Sequence, residues 1–125
     1  MIVVYRKKKR TLEKYRYVGA EMRLINELVI GLCKNAWGVA SAVDNKKLDR
    51  ALELISEVRS NIEDNMFRDF PELSDDYVNV FYGGLKRQPV NRVDAEQMAL
   101  AERIANFYFD EKMGYVDTSV IADSE

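Results

Sequence analysis

The chain has 125 residues, and their mass of 14.5 kDa suits a single domain. Apolar residues make up 47% and charged residues 32%, which is the balance of a soluble globular protein rather than a disordered one. The lack of histidine and the single cysteine, Cys33, exclude histidine-dependent catalysis, histidine-ligated zinc and an internal disulfide. We therefore expect a protein that is not an enzyme and that requires no metal or other cofactor.

Positive charge is concentrated at the N-terminus. The chain carries 19 basic and 21 acidic side chains, but residues 1–16 hold seven basic residues against one acidic residue. Because such runs attract phosphates and carboxylates, we expect residues 1–10 to form a basic arm that contacts nucleic acid or an acidic partner. An arm that is merely solvated is an equal alternative. The expected binding residues are Arg6, Lys7, Lys8, Lys9, Arg10, Lys14 and Arg16.

A regular apolar stripe follows the arm. It alternates three- and four-residue steps from Tyr15 to Val43, which is the pattern of a helix with one apolar face. With Thr11 as the N-cap, this predicts one helix of about 32 residues, roughly 48 Å long. Gly31 and Gly38 share a face of that helix and indicate either the close approach of another helix or else a kink or a break into two helices. The stripe consists of Tyr15, Val18, Met22, Ile25, Val29, Leu32, Ala36, Val39 and Val43.

A second helix is predicted after Asp44 and Asn45, which interrupt the stripe and can serve as its N-cap. It ends before Pro71, because a proline biases the preceding residue toward extended geometry. The apolar face of this helix consists of Leu48, Leu52, Ile55, Ile62 and Met66, with Ala51 and Val58 on the same side.

An acidic segment spans the end of the second helix. Residues 61–79 hold six acidic residues against one basic residue. Their spacing does not match an EF-hand loop, so we expect a solvated surface and no metal site. The same surface supports an alternative function, that of an acidic inhibitor or nucleic-acid mimic, such as one from a phage or mobile element. The residues expected to carry that function are Asp69, Glu72, Asp75 and Asp76.

A third, shorter helix is predicted over Asp75–Tyr82, with Ser74 as its N-cap and Gly83 and Gly84 at its end. The loop that follows places cations between two aromatic-rich helices, a combination that can bind phosphates and stack bases. We favour a different interpretation, in which the aromatic residues form an edge of the core and the loop is solvated. The residues of this second candidate surface are Lys86, Arg87 and Arg92.

A fourth helix is predicted from Asn91 to Gly114. Asn91 is its expected N-cap, and Asp94 lies in the first turn, where a carboxylate interacts favourably with the helix dipole. Residues 107–109 are all aromatic. Three consecutive positions of a helix cannot all face one core, so we expect at least one of these rings at a surface or an interface.

Four helices with short connections predict an all-α fold, an antiparallel four-helix-bundle-like single domain over residues 11–114. Residues 1–10 form the basic arm, and residues 115–125 form a short C-terminal tail. The stripe of the first helix is wider and longer than three shorter helices can cover. Uncovered apolar surface of this kind favours a homo-oligomer or a protein partner.

The most hydrophobic segment, residues 24–43, approaches the length of a membrane span. Glu27 and Lys34 interrupt it, and each charge would cost about 2.5–3.5 kcal/mol at the centre of a bilayer. The first apolar residues precede the basic run, which is the reverse of the order in a secretory signal. We therefore expect a cytoplasmic protein with no membrane partner, and we interpret it as a non-catalytic accessory protein.

Overall fold

The computed structural model describes residues 10–85 and 87–109. In these residues the chain forms three α-helices and no strand, so the all-α prediction is confirmed while the four-helix bundle is not. A short 3₁₀ segment lies between the second and third helices. The helices are α1 over Leu12–Ala36, α2 over Ala42–Asp69 and α3 over Arg92–Tyr108.

Helix α1 begins where the sequence predicted and ends earlier. The side chain of Thr11 accepts a hydrogen bond from the Lys14 amide at 3.1 Å, which confirms it as the N-cap. The expected single helix through Val43 is wrong, because the chain breaks after Ala36 into a short turn. The alternative of two helices separated near Gly38 is therefore correct.

Helix α2 is capped by Ser41 rather than by Asp44 or Asn45. The Ser41 backbone is extended, and its hydroxyl accepts a hydrogen bond from the Asp44 amide at 3.1 Å. At the other end α2 stops at Asp69, just before Pro71, as predicted. Because the turn between α1 and α2 is short, the two helices form an antiparallel hairpin.

The predicted third helix is a 3₁₀ segment of five residues, Asp75–Asn79. Ser74, the predicted N-cap residue, makes no side-chain hydrogen bond to the start of this segment. The residues that would have continued it, Val80 and Phe81, are instead fully buried in the core. A helix of one turn adds little stability by itself, so the tertiary burial of these two side chains decides the path of the chain.

Helix α3 packs on α1 and on the 3₁₀ segment, but it does not pack on α2 within the described residues. Its N-cap is Asn91, whose side chain accepts a hydrogen bond from the Asp94 amide at 2.8 Å, as predicted. Helix α1 is therefore central, with α2 and α3 lying against different parts of its surface. The result is an open three-helix arrangement.

The hydrophobic core lies at one end of the α1–α2 hairpin. Its larger cluster contains Tyr15, Met66 and Phe81, and the Tyr15 ring meets the Phe70 ring edge to face at 6.1 Å. A second cluster joins α1 to α3. In the part of the chain that the structure describes, the two clusters use α1 only up to Leu24, and the larger cluster uses α2 only from Ile62 onward.

Gly19 of α1 lies where the chain after the 3₁₀ segment packs closely against the helix. A Cβ atom built at Gly19 would lie 2.5 Å from the Val80 carbonyl oxygen, so only glycine fits there. The close approach expected at Gly31 and Gly38 is wrong, since a Cβ at either position meets no described atom within 4 Å. Val80, which directly follows the 3₁₀ segment, rather than another long helix, is what requires a small residue at this position of α1.

Candidate interaction surfaces

An apolar groove of about 730 Å³ lies over α1, between α2 and the end of α3. Its described lining is apolar except for Glu21. Helix α1 contributes residues at one-turn spacing, and α2 contributes residues from its middle. Tyr108 and Phe109 close the end next to α3. The principal lining residues are Val18, Met22, Ile25, Leu28, Leu54, Ile55, Val58, Ile62 and Ile104.

The groove exposes large apolar side chains to solvent. Leu28 is 54% exposed and Val58 is 50% exposed, and Ile25 and Leu54 are close to half exposed. The end of α3 adds further apolar area, since the rings of residues 107–109 are all exposed, as expected for at least one of them. A contiguous patch of this kind marks an interaction site more often than scattered surface residues do.

The groove exists because α3 is short and is held near one end of α1. Ala20 of α1 packs against Ala101 and Ile104 of α3, and two polar clusters join the same regions. The second half of α1 extends beyond this contact. The stripe residue Leu32 in that half is therefore exposed, and the later stripe residues Val39, in the turn, and Val43, at the start of α2, are exposed as well.

The carboxylate of Asp94 anchors α3 through a fully buried ion pair. Its Oδ1 atom lies 2.7 Å from Arg23 Nη2, and Arg87 donates to both carboxylate oxygens at 2.8 and 2.9 Å. Burial by itself would raise the pKa of Asp94, but hydrogen bonds from the Val90 amide and the two guanidinium groups lower it below its ordinary value. Burial also lowers the pKa of Arg23, against the opposing effect of Asp94.

A second buried polar group, Gln97, joins the same elements. Its amide nitrogen donates to the Arg16 carbonyl oxygen at 2.8 Å and to the Val80 carbonyl oxygen at 3.0 Å. The Arg16 Nε–H returns a hydrogen bond to Gln97 Oε1 at 3.0 Å. Sequence reasoning did not identify Gln97 or Arg23, because a single polar residue on a helix carries no signal of a partner that is distant in sequence.

The residues of the predicted basic arm fall in different surroundings. Arg6, Lys7, Lys8 and Lys9 lie outside the described residues. Arg10 is exposed at 3.5 Å from the Asp69 carboxylate, and Lys14 is exposed above the Tyr17 ring. Arg16, in contrast, uses its guanidinium group to hold α1 against α3.

The four residues of the predicted acidic face differ in their surroundings, because Asp69 makes a contact within the fold and the other three are exposed. Tyr15 donates its hydroxyl hydrogen to Asp69 at 2.5 Å. This hydrogen bond, together with the charge of Arg10, lowers the pKa of Asp69, while burial and the same bond raise the pKa of Tyr15. Glu72, Asp75 and Asp76 are exposed in the connection that follows α2.

The second candidate basic surface is also divided. Lys86 lies outside the described residues, and Arg87 is bound to Asp94. Arg92 is exposed at the first position of α3. The structure therefore brings Arg87 to the buried ion pair rather than to a surface shared with Arg92.

The described residues form three α-helices with an open apolar groove. No protein-family model, curated protein or solved structure matches the chain. None of the described helices has the length and apolar character to cross a membrane. Within residues 10–85 and 87–109, no three Cys, Asp or Glu side chains come together as metal ligands. Among the described residues, the groove combines a large volume with exposed apolar side chains.

Proposed function

We propose that this protein is a non-catalytic interaction protein that binds an apolar helical surface of a protein partner in its groove. The observation that carries this proposal is the apolar lining of the groove, with side chains that stand half exposed at its centre. The lone cysteine, Cys33, suits a reducing compartment, so we propose the cytoplasm as the place of this interaction.

A helix is the partner shape that the lining favours. Ile25 and Leu28 lie three residues apart on α1, and Leu54 and Val58 lie four residues apart on α2. Each pair therefore forms a ridge along its helix. Ridges from two antiparallel helices leave between them a trough that accepts the apolar face of another helix.

The test is site-specific photo-crosslinking in cells that express the full chain. A photoreactive side chain at Leu54, inside the groove, is expected to yield adducts with a bound protein. The matched control is Val78, which is similarly exposed at 46% but does not line the groove. Equal adducts at both positions, or none at Leu54, would contradict the proposal.

The basic arm supports a second candidate function, the binding of nucleic acid or an acidic partner. The observation in its favour is the excess of cations in residues 1–16, of which Arg10 and Lys14 are exposed. Removal of residues 1–10 is expected to weaken binding to RNA or DNA, as measured by fluorescence anisotropy at low salt. Unchanged binding after the removal, or no binding by the intact protein, would exclude this function.

The acidic inhibitor or nucleic-acid mimic remains the alternative, supported by the exposure of Glu72, Asp75 and Asp76. Replacing these three carboxylates with amides is expected to abolish inhibition of a nucleic-acid-binding target. Asp69 requires a separate variant, since its bond to Tyr15 also contributes to folding. A triple variant with full inhibitory activity would exclude the acidic face.

A further inference from the structure

We infer that the partner in the groove is a second copy of this chain, related by a two-fold axis. In the resulting dimer the α1–α2 hairpins of the two copies pack face to face and complete a four-helix bundle. The inference rests on the proposed function for its site, and it adds the identity of the partner.

The first support is the extent of the hairpin beyond the core. The two core clusters reach no farther than Leu24 on α1, and the larger of them begins at Ile62 on α2. Beyond Leu24, α1 lies beside α2 and the end of α3, which together line the groove, and Ile25, Leu28 and Leu32 are about half exposed there. These elements leave the apolar face of the hairpin half exposed, and a second pair of helices would cover it as in a four-helix bundle.

The second support is shape. A pair of antiparallel helices presents two ridges and one trough, and the surface that matches it best is another such pair. A two-fold axis supplies that surface without any new sequence, because the same patch is used by both copies. Ile25, Leu28, Leu54 and Val58 would then form the central layers of the bundle.

The third support is the distribution of charge along the hairpin. Around the turn, residues 34–50 hold four basic side chains against two acidic ones. Farther along α2, residues 51–64 hold four acidic side chains against one basic one. When two hairpins pack with opposite directions, the basic end of each lies beside the acidic part of the other.

This arrangement also predicts one contact. Arg50 lies about 12 Å from the turn and Glu21 about 22 Å from it, at about 1.5 Å per residue. The midpoint, about 17 Å from the turn, is the level of Ile25 and Leu54. An axis through these two residues therefore places Arg50 of each copy level with Glu21 of the other, the single charged residue in the described lining of the groove.

Residues 110–125 are the competing occupant from the same chain. They hold five acidic residues against one basic residue, and Glu21 in the groove is also acidic. Like charges would therefore face each other in that arrangement. A second copy would instead place the positive charge of Arg50 level with Glu21. We therefore favour a second copy over residues 110–125.

The first experiment measures the mass of the full chain by light scattering after gel filtration, over a concentration series. We expect twice the 14.5 kDa of one chain. The double variant L28D/L54D is expected to be monomeric and still helical by circular dichroism, because both side chains are half exposed in one copy. The control V78D is expected to remain dimeric. A wild-type monomer at every concentration would overturn the inference.

The second experiment tests the contact between Glu21 and Arg50. Since the pair occurs twice in a symmetric dimer, E21R and R50E are each expected to raise the dissociation constant about tenfold. The combined variant E21R/R50E restores opposite charges and is expected to recover most of the wild-type affinity. Additive losses in the combined variant would exclude this register.

The crosslinks at Leu54 separate this inference from the function on which it rests. Adducts between two copies support both the proposed function and the inference of a dimer. Adducts of a monomeric chain with a different protein support the proposed function and overturn the inference. Crosslinks within one monomer to residues 110–125 would assign the groove to that segment and overturn the inference. Absence of any adduct, together with a monomeric mass, would contradict the inference and the proposed function alike.

Discussion

At the residue scale, Asp94 joins α3 to α1 and to the loop that precedes α3 through its bonds to Arg23, Arg87 and Val90. It is fully buried, and both of its carboxylate oxygens are paired with guanidinium groups. In D94N the shape remains but the charge of Arg23 stays buried without its counter-ion. We expect the free energy of unfolding to fall by about 3–5 kcal/mol. Urea denaturation measures this loss, and D76N on the exposed surface should change stability by less than about 0.5 kcal/mol.

The lowered pKa of Asp94 also predicts a pH dependence. In the unfolded chain this carboxyl titrates near its ordinary pKa of 3.8, and in the folded protein it titrates at a lower pH. Its contribution to stability is therefore complete above the ordinary pKa and is lost as the pH falls through the folded value. We expect the urea midpoint of the wild type to drop in this acidic range. The drop should be smaller in D94N, although Asp69, whose pKa is also lowered, will keep part of it.

Two glycines of α1 offer a matched pair of substitutions. In G19A the added Cβ meets the Val80 backbone, so we expect a loss of about 1–3 kcal/mol in the free energy of unfolding. In G31A the added Cβ meets no described atom, and removing a helical glycine should stabilise α1 by up to about 1 kcal/mol. Thermal unfolding of both variants tests the packing, and equal effects would contradict it.

At the element scale, the start of α2 depends on Ser41. Its hydroxyl satisfies the Asp44 amide, so S41A is expected to cost about 1 kcal/mol. S60A lies on an exposed part of the same helix and should leave stability unchanged or slightly raised. Chemical denaturation of the two variants measures the difference. If the stability of S41A equals that of the wild type, Asp44 or Asn45 would be the N-cap instead of Ser41.

Three boundaries predicted from a local signal in the sequence were correct, whereas the caps predicted at Asp44, Asn45 and Ser74 were not. Thr11 and Asn91 accept hydrogen bonds from amides three residues later, as expected of N-caps. Helix α2 ends at Asp69, just before Pro71, where the proline was expected to end it. The prediction failed at the turn after Ala36, because the apolar stripe continues in register across the break. A periodic pattern cannot show whether the helix that carries it is one piece or two.

At the scale of the whole molecule, a dimer predicts that stability depends on concentration. If folding and association are coupled through the groove, the Tm of the wild type should rise with protein concentration. The Tm of L28D/L54D should not. Differential scanning calorimetry at several concentrations measures both, and a constant wild-type Tm would indicate that the groove stays open between copies.

The sequence by itself determined the helical class, the starts of α1 and α3, the end of α2 and the separation of charge along the chain, since each depends on residues that are near neighbours. Only the tertiary structure decided which residues meet across the fold. Arg23 and Asp94 are 71 positions apart, and their contact places α3 near one end of α1. That placement leaves Ile25, Leu28 and Leu54 uncovered, so the groove follows from packing between distant segments rather than from any local pattern.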